Sequence, residues 1–133
     1  MKTYYKVITD NSHFAGEYKI SDVMAIPSGT HFRANVPYDA TVTIHAGAPV
    51  IHFSDNAFDT LMWHKILTRP DDKIAIYEIK PIGPIIKQIC PDEFKLKQCG
   101  ANEIMIGTRV SEDIIFERAK AEVKRKMQRT HNR

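Results

Sequence analysis

Residues 50–67 pass from a short apolar strand directly into a helix, and this change of period constrains the fold more than any other stretch. Val50 to Phe53 is apolar and β-prone, and Ser54-Asp55-Asn56 then breaks the run. Side chains of this type accept hydrogen bonds from the free backbone N–H groups at a helix start. Phe58, Leu61, Met62 and Ile66 follow at i, i+3, i+4 and i+8, which predicts one buried face of a helix over about 55–67.

Before this stretch the chain reads as short strands separated by turns. Residues 4–8 are aromatic and β-branched and close at Thr9-Asp10-Asn11. Residues 14–20 form a second extended segment, with Gly16 as a bend. Pro27-Ser28-Gly29 and Pro37-Tyr38-Asp39 mark turns around strands at 30–34 and 41–45.

After the helix, residues 73–80 set Ile74 and Ile76 on one face and Ala75, Tyr77 and Ile79 on the other. Apolar groups on both faces predict a central strand, covered on each side. Strands at 85–89, 94–96 and 103–106 follow, with Gly100-Ala101-Asn102 as a separator. Ser111-Glu112-Asp113 then starts a second helix, its acids in the positive first turn. Phe116, Ala119, Val123 and Met127 give it an apolar stripe, for a C-terminal helix over about 112–127. The whole is expected to be a single α+β domain over 1–123, mostly antiparallel sheet with two helices, followed by a basic tail at 124–133.

Charge is unevenly spread. Every acid lies at or before Glu122, whereas Lys124, Arg125, Lys126, Arg129 and Arg133 crowd the last ten residues. A cationic segment of this kind suits nucleic-acid phosphates or an acidic protein surface. No aromatic residue interleaves it, so base stacking is not indicated. No apolar run approaches a membrane span, and the first residues lack the features of a secretion signal, so the chain is read as cytoplasmic. Cys90 and Cys99 are expected to be reduced thiols in that compartment.

The common catalytic signatures are missing. There is no GxxxxGK[ST], GxGxxG or GxSxG, and no base lies near either cysteine. His45, His52 and His64 match no ligand spacing and there is no HExxH, so no metal site is expected. Trp63 lies off the apolar stripe of its helix and, if exposed, would anchor an interface with another protein or in a homodimer.

Two resemblances bear on function. Val50-Ile51-His52-Phe53-Ser54 ahead of the first helix, and Asn102-Glu103-Ile104-Met105-Ile106-Gly107-Thr108 on a late strand, resemble the second and third motif strands of ADP-ribosyltransferases. The likeness implies an NAD-dependent enzyme in which His52, Phe53 and Ser54 line the nicotinamide ribose. Glu103 would stabilise the oxocarbenium-like transition state. Lys6 stands where that family carries Arg or His on its first strand, and residue 101 is Ala.

The second resemblance covers more of the chain. Tyr5-Lys6, His52-Phe53, Asp59-Thr60-Leu61-Met62-Trp63, Ile79-Lys80-Pro81-Ile82-Gly83 and Asn102-Glu103-Ile104-Met105-Ile106 are similar, in that order, to a family of small phage and prophage proteins of unassigned function. Beside this likeness, the small size, the missing catalytic set and the basic C-terminal segment point to an accessory protein, without a cofactor, that binds and inhibits or modulates a host protein or protein complex, such as a defence complex. Lys124, Arg125, Lys126, Arg129, Arg133 and Trp63 are then the expected contact residues. Phosphate contacts through the same cations would make it a nucleic-acid-binding protein instead. Enzyme and binding protein both stay open at this level.

Overall fold

The computed structural model describes residues 2–9, 13–14, 18–19, 23–33, 51–68, 73–89 and 97–131. The strands expected at 41–45 and 94–96, together with Cys90 and Arg133, lie outside them. The elements in chain order are β1 (Tyr4–Thr9), β2 (His13–Phe14), β3 (Tyr18–Lys19), β4 (His31–Arg33) and β5 (Ile51–Phe53). Helix α1 (Ala57–Leu67) comes next, then β6 (Ile74–Ile82), β7 (Ile86–Ile89), β8 (Lys97–Ala101), β9 (Glu103–Val110) and helix α2 (Glu112–His131).

Every strand pairing is antiparallel, as expected of an α+β chain in which strands return by short connections. One sheet has the order β1-β6-β9-β4 and a second the order β5-β8-β7. They run into each other at Ser54, whose N–H and C=O bond the C=O and N–H of Tyr5 at 2.8 and 2.9 Å. β1 thus pairs with β6 along one edge and with Ser54 on the other, and the combined sheet curls.

β6 occupies the central position its two apolar faces predicted. Ala75, Tyr77 and Ile79 join Ile8, Ile51, Phe53, Cys99, Ala101, Ile104 and Ile106 in the core inside the curl. Ile76 points the other way and meets Tyr5, Val7 and Val110 under the helices. Tyr77 is fully buried, and its hydroxyl donates to the Val23 carbonyl (2.7 Å) and accepts from the Ile26 N–H (3.0 Å). That pair of bonds ties the segment after β3 across the inner face. The segment closes with the Pro27-Ser28-Gly29 turn, where Gly29 takes the positive φ (90°) that a side chain would disfavour.

Four expectations need correction. Of the four residues expected to form the buried face of α1, Leu61 is buried but Phe58 and Ile66 are not. Phe58 and Ile66 are 42% and 38% exposed, and the helix buries Ala57, Thr60, Leu61 and His64. The aromatic and branched side chains of β1 and β6 already fill that layer, and α1 lies over them on Ala57 and Leu61, with the Thr60 hydroxyl bonded back to the Asn56 carbonyl (2.7 Å). On α2 the buried residues are Ile115 and Ala119, whereas Phe116, Val123 and Met127 are 47%, 40% and 57% exposed. Neighbouring Ile115 and Phe116 start competing stripes about 100° apart, and the one that packs holds the smaller side chains. α2 also runs through His131, well into the supposed tail, because no glycine or proline stops it before that residue. Lastly, the separator at 100–102 is mostly strand. Gly100 pairs with His52 on one side and Ile86 on the other, and pairing on both edges outweighs the weak strand preference of Cys-Gly-Ala.

Candidate functional site

Glu103 heads β9 and faces β4. Its Oε2 lies 2.8 Å from His31 Nδ1, and its Oε1 is 2.7 Å from Arg33 Nη2 and accepts from Arg33 Nε at 2.8 Å. His31 first, and Arg33 next, hold the Glu103 carboxyl below the usual carboxylate range. The other residues of the transferase resemblance lie along β5 and its end. Phe53 is buried and meets the Tyr4 ring edge-on, with centroids 5.6 Å apart. Ser54 is buried, with its backbone committed to Tyr5. The His52 carbonyl accepts from Lys6 Nζ at 2.6 Å. Burial pushes the Lys6 ammonium down to about 8. The structure therefore brings Glu103 to His31 and Arg33, and packs Phe53 and Ser54 against Tyr4 and Tyr5.

A cleft of about 440 Å³ opens where β1, the start of α1 and the middle of α2 converge. Tyr5, Asn56, Glu78, Arg118, Glu122 and Arg125 line it. Arg118 Nη1 donates to Glu78 Oε1 (2.6 Å) and to the Tyr5 hydroxyl (3.0 Å), with its guanidinium 5.8 Å from the Tyr5 ring centroid. Glu78, then Tyr5, raise the Arg118 pKa further. Glu122 grips the free end of α1: its two oxygens accept the Ala57 N–H (2.7 Å) and the Phe58 N–H (2.9 Å). Asn56 completes the cap by accepting from the Asp59 N–H at 2.7 Å. A carboxylate at a helix N-terminus is favourable to both partners. Arg118, Glu78 and Tyr5 thus answer one another, and with Glu122 they lock α2 to the sheet and to α1. Chain distance hid the network: Arg118 and Tyr5 are 113 residues apart, and Glu122 and Ala57 are 65.

The outer side of the helices has a different character. α1 and α2 lie antiparallel. Glu122 sits at the start of α1, and Glu112 Oε1 lies 4.0 Å from His64 Nδ1 near its end. Phe58, Ile66, Leu67, Ile114, Phe116, Val123 and Met127 are all exposed on these two helices. Lys124, Arg125 and Lys126 are exposed on α2, and Arg129 falls on its last turns. Trp63 is half-buried and packs against the core beneath the helices.

Among the described residues no group of three His, Cys, Asp or Glu is placed to hold a metal ion, and no helix is long and apolar enough to cross a membrane. Cys99 is free and buried, and burial raises its thiol pKa to about 11. Comparison with protein-family models, curated proteins and solved structures finds no match to this chain.

Proposed function

We propose that this protein acts by binding the acidic surface of another protein through the second half of α2. One observation carries the reading: exposed Lys124 and Lys126 flank exposed Val123 and Met127 on a continuous helix, with Arg125 behind them at the cleft. Ordered cations beside exposed apolar side chains suit an interface with a desolvated centre and a charged rim. A phosphate backbone would use the cations and gain little from Val123 or Met127, which favours a protein over a nucleic acid. On the phage-protein resemblance, the partner is a host protein or protein complex whose activity is blocked by occupancy.

The test is capture from host extract with the wild type and with a Lys124→Glu, Arg125→Glu, Lys126→Glu variant, followed by titration of the purified captured protein. The expected result is an acidic protein that binds the wild type, more weakly as salt rises, and fails to bind the variant. Equal capture by both chains would overturn the proposal. Labelled duplex DNA bound with a steep salt dependence, and no protein captured, would replace it with nucleic-acid binding.

A further inference from the structure

The exposed side of α2 holds two patterns that the fold of a single chain does not use. One is the apolar stripe of Phe116, Val123 and Met127, 47%, 40% and 57% exposed. The other is a flank of charges. Asp113, Glu117, Lys120 and Lys124 recur at i, i+4, i+7 and i+11, so they share one side of the helix, next to that stripe. Their order along the helix is acid, acid, base, base.

We propose that a second copy of this chain docks on this face, with the two α2 helices antiparallel about a two-fold axis. An isologous contact sets one flank against the same flank reversed. Asp113 and Glu117 of one copy then stand opposite Lys124 and Lys120 of the other, at both ends of the contact. The helix dipoles also favour the antiparallel choice. Phe116 and Val123, beside that flank and within the span from 113 to 124, supply the apolar part of the contact. In the single chain Lys120 folds back, 3.0 Å from Glu117 and 5.0 Å from the Phe116 ring centroid. Pairing turns it outward to the facing acid and uncovers the ring for contact. The contact uses Val123 and Lys124, which the acidic-partner reading also uses, so on one chain the two exclude each other; this one needs no other molecule.

Sedimentation equilibrium of the full chain, from low to high micromolar at low salt, tests it. The expected mass rises from 15.2 kDa towards twice that value. Phe116→Glu with Val123→Glu should hold the chain at the monomer mass. Lys120→Glu with Lys124→Glu makes the flank wholly acidic and should do the same. Adding Asp113→Lys and Glu117→Lys to that second variant reverses the whole pattern and should restore the dimer, with far-UV circular dichroism confirming that α2 persists in each. A wild type monomeric at every concentration would overturn the proposal. So would a dimer indifferent to the Lys120 and Lys124 changes, or a full reversal that stays monomeric.

Discussion

A β-carbon placed on Gly107 would stand 2.8 Å from the carbonyl oxygen of Glu78. The register of β6 against β9 slips there, from Tyr77 opposite Arg109 to Ile79 opposite Ile106, so Glu78 faces two residues of β9. The bulge brings the two backbones together, and Glu78 at that point also holds Arg118. The obstacle is main chain and cannot swing away. Gly107→Ala should cost about 1–3 kcal/mol, through the backbone shift that overpacking forces. Urea unfolding would register it as a lower midpoint with an unchanged slope.

Tyr77→Phe removes one oxygen from the inner core and strands two groups, the Val23 carbonyl and the Ile26 N–H. The ring still fills its place, so the loss is one of hydrogen bonding, about 1–3 kcal/mol. Amide exchange at Ile26 should quicken more than exchange in β9. Uniform quickening over the whole chain would show that the hydroxyl does not anchor that segment locally.

Lys6 predicts a stability that climbs with alkaline pH. Its native pKa is about 8, below the ordinary 10.5, so between those values the unfolded chain binds a proton that the folded chain does not. Folding therefore strengthens as pH rises through 8, by about 1 kcal/mol between pH 7 and 9. Cys99 acts in the opposite sense from about 9 to 11, because its buried thiol stays protonated after the unfolded one has ionised. The rise should flatten above pH 9. Lys6→Met should abolish the rise and make the protein about 1–2 kcal/mol more stable at pH 7, as measured by thermal melts across that range.

Glu122→Ala opens the end of α1. Two N–H groups lose a charged acceptor, a loss of about 1–3 kcal/mol. Glu122→Gln keeps one carbonyl acceptor but removes the charge, and should fall between wild type and Ala. Backbone exchange at Ala57 and Phe58 would separate this local fraying from a global change.

The parts of the fold legible beforehand are those written in a single period. β6 could be placed at the centre of its sheet because Ile74 and Ile76 alternate with Ala75, Tyr77 and Ile79, and each set found a core. Asn56 could be grouped among the cap residues because Ser54-Asp55-Asn56 ends the strand with side chains that accept from free N–H groups. Faces of helices were harder. On α2, Ile115 and Phe116 are adjacent apolar residues, and only the cluster of Tyr5, Val7, Ile76 and Val110 beneath the helix decides that Ile115 goes in. β8 carries almost no signal of its own, since Cys99, Gly100 and Ala101 become a strand through β5 and β7. The cleft was out of reach for a further reason. Tyr5, Glu78 and Arg118 are unremarkable separately, and only the curl of the sheet with α2 laid across it makes them neighbours.

The grip of Glu122 on α1 also bears on the order in which the protein can be completed as it is made. A ribosome adds residues at roughly 5–20 per second, so the carboxylate that finishes the cap of Ala57 is synthesised about 3 to 13 seconds after that helix start. Throughout that interval α1 has only Asn56 to steady its first turn, and the apolar surface that α2 will cover is open to water. The nascent chain should thus stay sensitive to protease around residues 57–67 until Glu122 has emerged from the ribosome, and a stalled chain ending before that residue should remain so.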